Sequence, residues 1–313
     1  MNPKDVIVLN SHGIGQYAYC DHLPRWGETL SVRGWHIAED GGKGTNVSVA
    51  LARLGLSVAY IGKVGCDAWG DLGVKWMAEA GVDISYLYRD PNVTTGTGLI
   101  LVASDGRNCI IDGDSSSRKL TIDEVTTAID SMLDSKYFIT GFEIPLEVSL
   151  AGALLAHKHG MRTVLNPSPL PKSSIESLYF IDYLFINEVE ASYLSGNSNL
   201  DDLEEIAHVI QNQYQCRNVI ITLGSEGSCA LIESGKFFKV KSIYVRDVVN
   251  TVGAGDGFMS ATIFSLLRGK NLCDAMQWAS YYSALCVSID GTIPSYRPLS
   301  DVQNFIKNIK NLS

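Results

Sequence analysis

The chain has 313 residues, 46% of them hydrophobic and 19% charged, with a formal charge of −9 and a pI near 5.1. This is the composition of a folded globular protein with room for one large α/β domain or two smaller ones, and its acidity argues against a nucleic-acid-binding surface. No run approaches the ~20 apolar residues of a membrane span, and Val6–Leu9 is too short for a secretory leader core, so a soluble, cytoplasmic protein is expected.

Cys20, Cys66, Cys109, Cys216, Cys229, Cys273 and Cys286 are scattered singly, with no CxxC pair. That spacing excludes the usual zinc sites and fits reduced thiols.

Val6–Leu9 reads as a buried strand. The segment 16–37, with Gly27 and Gly34, alternates imperfectly and fits strands exposed on one face. Glu39-Asp-Gly-Gly-Lys-Gly-Thr-Asn46 leads into helical spacing that ends at Gly55. A strand at Val58–Ile61 and a helix at Asp67–Ala80, ended by Gly81, complete a β-α-β-α rhythm, which predicts a parallel sheet with helices packed on it. Gly98–Ala103 and Asn108–Ile111, joined by Asp105-Gly106, read as a hairpin. Together with the segment 16–37 they suggest a small antiparallel accessory sheet, a candidate lid.

The rhythm then resumes. A helix is expected at Thr121–Ser135, a strand at Tyr137–Thr140, a helix at Leu146–His159 and a strand at Thr163–Leu165. A strand at Tyr183–Ile186 runs into Asn187-Glu-Val-Glu190. Helix Leu203–Tyr214, strand Val219–Thr222 and a hairpin of Ser228–Glu233 with Lys236–Val240 follow. The last helices are expected at Phe258–Leu267, Ala275–Ser288 and Asp301–Ile309. His157 and His159 read as surface residues near a helix end.

A Walker A loop is absent, and no GxGxxG follows the first strand, which excludes a P-loop NTPase and an ordinary dinucleotide-binding domain. Four stretches carry chemistry instead. In Asn250-Thr-Val-Gly-Ala-Gly-Asp256, three small residues precede one carboxylate at a helix start, where free N–H groups and the dipole attract anions. Asp256 would be repelled by such an anion, and taking a proton from an attacking hydroxyl would explain its presence; a plain Gly-rich helix start capped by Asp is the alternative. Gly41-Gly-Lys-Gly-Thr-Asn46 either cradles a polar ligand or is a turn with an Asn cap. At Asn187-Glu-Val-Glu190, Glu190 either holds Mg²⁺ through waters or complements a helix dipole. Thr222-Leu-Gly-Ser-Glu-Gly227 either wraps a nucleotide or turns the chain. Glu143, after a strand, either grips sugar hydroxyls or is a solvated loop charge.

Taken together, these stretches resemble the ribokinase-like (PfkB) carbohydrate kinases over nearly the whole chain, most closely in its second half the members that give the family its name. The resemblance implies a ribokinase-like α/β fold over 1–313: a central, mostly parallel sheet flanked by helices, with a small antiparallel β-lid at about 16–37 and 96–113. It implies transfer of the γ-phosphoryl of ATP, with Mg²⁺, to a sugar hydroxyl, usually a primary one. By motif, Asp256 corresponds to the base, and Gly253, Ala254 and Gly255 to the anion hole. Gly42, Lys43, Asn46, Glu143 and Asp256 correspond to sugar contacts. Asn187, Thr222, Gly224, Ser225, Gly227, Gly255 and Ser280 correspond to the ATP side, and Glu190 to the Mg²⁺ side. Family members often dimerise through the lid.

Two departures stand out. The family's activating monovalent cation, K⁺, would fall at Asn250, Val252, Cys286, Ile289, Gly291 and Ser295, but Asn250 stands where the family usually has Asp. Gly13 and Gly15 stand where an Asn and an Asp of the family grip the sugar, which leaves room for a bulkier or less hydroxylated acceptor than ribose. Besides a sugar kinase, two further readings are carried. One is a nucleoside kinase of the same family. The other is a binding or regulatory protein that has lost turnover, resting on Asn250 and the missing first-strand Asp.

Overall fold

The structure, a computed structural model, describes residues 3–37, 39–104, 108–113 and 115–312. The chain opens with β1 (Val6–Leu9), β2 (Gly13–Cys20) and β3 (Gly34–Ile37), then α1 (Gly42–Arg53), β4 (Val58–Gly65), α2 (Ala68–Glu79) and β5 (Asp83–Asp90). Next come β6 (Gly96–Ala103), β7 (Asn108–Asp112), α3 (Ile122–Asp130), β8 (Tyr137–Gly141), α4 (Leu146–Lys158) and β9 (Arg162–Asn166). β10 (Tyr183–Asn187), α5 (Glu188–Ser195), α6 (Leu203–Tyr214), β11 (Asn218–Thr222), β12 (Ser228–Leu231) and β13 (Phe237–Val240) precede α7 (Ala254–Leu267), α8 (Leu272–Val287), α9 (Thr292–Ser295) and α10 (Leu299–Leu312).

One sheet runs β13-β12-β11-β10-β9-β8-β1-β4-β5. Its strands from β11 to β5 are parallel, and β12 and β13 extend the β11 edge antiparallel. Period-2 alternation assigns each strand to two cores at once. Ile7 and Leu9 of β1 join the side chains of α3 to α6, whereas Val6 and Val8 join those of α1, α2, α7 and α8. A strand covered on both faces must be apolar at every position, which is why β1 reads VIVL. α7 is buried nearly all round from Asp256 to Ser265, so it has no amphipathic stripe.

The smaller sheet runs β3-β2-β6-β7. Its outer pairs, β2–β3 and β6–β7, are antiparallel as expected, but β2 and β6 pair in parallel from Gly13↔Gly96 to Cys20↔Ala103. A parallel pair needs a long crossover, and the intervening α1, β4, α2 and β5 supply it. The expected turn at Asp105-Gly106 lies outside the described residues. β2 begins at Gly13, earlier than expected, because it leaves β1 through only Asn10, Ser11 and His12. β5 and α9 were not expected: β5 is a half-buried edge strand rich in polar residues, and α9 is a single turn.

His12 fastens this junction. Its Nδ1 accepts from Thr45 Oγ1 at 2.8 Å and its Nε2 donates to Trp69 O at 3.1 Å. Burial pushes the ring's pKa down, so it stays neutral.

Candidate active site

In a parallel sheet, ligands gather outside the carboxyl ends of the strands, where the strand order reverses. Here the chain steps from β1 to β4 and β5 on one side and to β8, β9, β10 and β11 on the other. Ser11 follows β1, Glu143 follows β8, and Asn166, Asn187 and Thr222 end β9, β10 and β11. A cleft of about 130 Å³ lies at this edge, and its walls include Lys43, Asn166, Asn187, Glu190, Thr222, Gly255 and Asp256.

Asp256 sits in the first turn of α7, 7% exposed. Lys43 Nζ lies 3.4 Å from its Oδ1, and Asn46 Nδ2 donates to its Oδ2 at 3.1 Å. Glu143 Oε2 accepts from the backbone N–H of Lys43 at 3.0 Å and from the Ser11 hydroxyl. Burial pulls the Lys43 pKa down, but Asp256, Glu143 and Glu190 outweigh it and hold the ammonium charged. Burial raises the Glu143 pKa against the opposing pull of Lys43 and Ser11. Gly42 has φ 71°, which side-chain-bearing residues rarely adopt, and a Cβ there would also press on Ser11 Oγ at 3.1 Å and Gly13 N at 3.2 Å, so glycine is favoured.

The structure therefore brings Gly42, Lys43, Asn46, Glu143 and Asp256 together. It adds Asp40, which the sequence reading passed over. Asp40 Oδ1 accepts from Asn46 Nδ2 at 2.7 Å and from Gly42 N at 3.2 Å. Asn46 Oδ1 meanwhile accepts from Gly41 N at 3.1 Å, so both ends of the Asn46 amide are engaged. Asp40 carried no spacing signal; it lies in a glycine-rich stretch where a carboxylate reads as a turn residue. The reading of Gly13 also changes. A Cβ there would sit 3.2 Å from Gly96 O, so this glycine permits the close approach of β2 to β6 as well as leaving space.

Gly253 caps α7 with φ 78°, and a Cβ there would lie 2.2 Å from Thr292 Cγ2. The Ala254 N–H is taken by Thr251 O at 3.3 Å. The N–H groups of Gly255 and Asp256 have no acceptor among the described residues, and nothing lies within 4 Å of the Cβ direction of Gly255. These two amides are the open donors of the helix start.

Across the cleft, Asn187 and Glu190 form a capping box: Glu190 N donates to Asn187 Oδ1 at 2.8 Å, and Asn187 N to Glu190 Oε2 at 2.9 Å. The plain helix-start reading is thus satisfied, while both side chains still line the cleft. Thr222 pairs beside Asn187 in the sheet. Gly224, Ser225 and Gly227 form the tight turn after Thr222 and lie outside the cleft wall. Ser280 is also outside it: its hydroxyl donates to Met276 O at 3.1 Å. Asn166, which no motif flagged, faces the cleft with a buried Oδ1 that has no partner among the described residues.

The residues expected around a monovalent cation share one region behind α7. Asn250 Oδ1 already accepts from Val252 N at 2.9 Å, and its Nδ2 lies 3.4 Å from Asp290 Oδ1. The carbonyls of Cys286 and Gly291 accept from Ile289 N and Ser295 N, each at 3.2 Å, whereas those of Val252 and Ile289 have no donor among the described residues. A second cavity adjoins this region, lined by Tyr17, Glu39, Trp76, Asn250 and Asp290 among others.

A crevice of this kind suits a transferase that places a phosphoryl group on an alcohol. Comparison with known proteins agrees. Residues 38–298 match the pfkB family carbohydrate kinases. The ribokinase of Staphylococcus aureus (strain COL) is 29% identical over 306 residues, covering 95% of this chain and 98% of that protein. The deoxyribokinase of Salmonella typhi is 25% identical over 305 residues, 96% and 98% of the two chains. The structure of Arabidopsis thaliana ribokinase complexed with ribose and ATP matches with a TM-score of 0.89 and 27% identity, over 98% of this chain and 99% of that one. The chain belongs to the pfkB carbohydrate kinase family and is an ATP-dependent carbohydrate kinase.

Proposed function

We propose that the enzyme transfers the γ-phosphoryl of Mg-ATP to a hydroxyl, usually a primary one, of a sugar or sugar-like acceptor, with Asp256 as general base. The observation that carries this reading is the placement of the Asp256 carboxylate in the same helical turn as the open amides of Gly255 and Asp256. A hydroxyl bound at Asp256 would give up its proton there while the amides meet the charge on the transferred group. Phosphoryl transfer needs positioning and charge stabilisation more than covalent chemistry, and Lys43 adds a fixed positive charge beside the base. Gly42, Asn46 and Glu143 hold the acceptor, and Asn187, Thr222 and the Gly224–Gly227 turn hold the nucleotide. A lid over the acceptor would keep out water, the competing nucleophile.

Glu190 fits a Mg²⁺ held through water. One of its oxygens is fixed by the Asn187 N–H, and the other has no partner among the described residues in a cleft-lining, buried carboxylate. Mg²⁺ would neutralise phosphate charge, and Glu190 would hold it through its waters. For K⁺ the fit is weaker, because Asn250 brings no charge and its oxygen is already engaged.

We place the protein in the cytoplasm, a reading supported by seven unpaired cysteines. We also place a homodimer contact on the lid, where Trp35 and Ile111 are exposed on the edge strands β3 and β7.

The test is a phosphorylation screen with ATP over pentoses, hexoses, polyols and nucleosides, run beside Asp256→Asn. Transfer to a sugar that is lost in the variant, with nucleotide binding kept, supports the reading. Full activity in Asp256→Asn removes Asp256 as base, and transfer to nucleosides alone replaces the acceptor class.

A further inference from the structure

We propose that Asp40 is a specificity residue of the acceptor site: its free carboxylate oxygen takes a hydrogen-bond donor of the acceptor, next to the hydroxyl that is phosphorylated, so that the enzyme takes neutral or amine-bearing polyols and rejects sugar acids and sugar phosphates. This rests on the function proposed above.

One amide nitrogen, Asn46 Nδ2, bridges Asp40 Oδ1 at 2.7 Å and the base, Asp256 Oδ2, at 3.1 Å. The two carboxylates therefore flank a single donor and stand side by side. The Gly42 N–H fixes Asp40 Oδ1 a second time, at 3.2 Å, while Oδ2 has no partner among the described residues. With both Nδ2 hydrogens engaged, Asn46 positions the two carboxylates and offers the acceptor only the second lone pair of its Oδ1. Asp40 Oδ2 is left to take the acceptor's donor.

Charge supplies the second half. Asp40, Glu143 and Asp256 gather at the proposed acceptor position with one cation, Lys43, which lies 3.4 Å from Asp256 Oδ1. The second cavity is lined by Glu39 and Asp290 together with His36 and Lys75. Tyr17 lines it too: its phenol pKa is raised by burial and further by the charges of Asp40 and Asp290. A carboxylate or phosphate on the acceptor would enter this field unpaired, whereas a hydroxyl or ammonium would be welcomed.

The experiment measures kcat and KM for the acceptor and for ATP in the wild type, Asp40→Asn and Asp40→Ala. The acceptors are matched sets: neutral polyol or sugar, its amino derivative, its sugar acid and its phosphate. Nucleotide-induced thermal shift verifies folding of each variant. The expected result is wild-type preference for the neutral and amino members. In both variants the acceptor KM should rise at least about tenfold, as for a lost hydrogen bond to a charged group, with kcat and the ATP KM within about threefold. Turnover in the wild type with unchanged acceptor KM in the variants, or preference for the acid or phosphate, overturns the role of Asp40 alone. A wild type that phosphorylates nothing in the panel while binding nucleotide overturns the underlying function, and this inference with it.

Discussion

The two sides of the cleft are built differently. On the proposed acceptor side, polar and ionisable side chains from distant parts of the chain meet: Lys43 and Asn46 reach Asp256 across 213 and 210 positions, and Glu143 reaches the Lys43 backbone across 100. On the proposed nucleotide side the pieces are local. Asn187 and Glu190 cap one helix, and Gly224 to Gly227 form one turn. Charge is concentrated on the proposed acceptor side, where three carboxylates and one lysine meet. The nucleotide side sets shape, through backbone and caps that hold with little charge at stake. Lesions on the first should strike turnover and acceptor binding; lesions on the second should strike nucleotide affinity and stability together.

The sharpest break is Asp256→Asn. Its kcat should fall by about 10² to 10⁴, the usual worth of a general base, while a nucleotide-induced rise in Tm persists. Loss of both would place Asp256 on the nucleotide side as well. Glu143→Gln should come next, raising the acceptor KM roughly tenfold or more and leaving the ATP KM unchanged; steady-state kinetics with each substrate varied decides it. Gly227→Ala should do the reverse. Gly227 has φ 103°, and a Cβ there would meet Val240 O at 2.2 Å. A strained backbone position costs about 1–3 kcal/mol, so thermal unfolding should show a lower Tm, the ATP KM should rise and the acceptor KM should hold.

A smaller effect concerns the junction between β1 and β2. The His12 pKa is lowered by burial, so the unfolded chain binds more protons than the folded one once the pH falls below about 6.5. Stability from this residue is full above that pH and is lost as the pH falls through the window beneath it. Asp40 and Glu143, with values raised by burial, act with the opposite sign. The His12 contribution is therefore read as the difference in Tm between the wild type and His12→Gln, which should narrow from pH 7 to pH 5. A constant difference would mean that the folded ring accepts the proton. The smallest effect is expected from exchanging Na⁺ for K⁺ at fixed ionic strength. With Asn250 uncharged and engaged, the rate should change little, and a strong K⁺ stimulation would show that Asp290 and the open carbonyls suffice.

Much of this fold is readable because its signals are local. The VIVL run of β1, the glycine stops of α1 and α2, and the Asn187–Glu190 capping box each follow from side-chain size, spacing or a hydrogen bond over three residues. β5 escaped notice because an edge strand need not be apolar on both faces. The parallel pairing of β2 with β6 escaped because register between strands 80 residues apart leaves no trace in either strand. In the site, Asp256, Lys43, Asn46 and Glu143 could be named from motifs. Asp40 and Asn166 could not, since each is an ordinary polar residue until the chain around it closes.

By itself, then, the sequence determined the α/β rhythm, the glycine-initiated helix at Gly253 and the carboxylate that follows it, because helix starts, tight turns and core faces are decided by neighbours a few residues away. Only the tertiary structure decided which groups share a proton field. It set Asp40 beside Asp256 on one amide nitrogen, bonded the Ser280 hydroxyl to the Met276 carbonyl and left the Gly255 and Asp256 amides open. Charge and hydrogen bonding act across a few ångströms of space, and that space is bounded by residues that the chain separates by hundreds of positions.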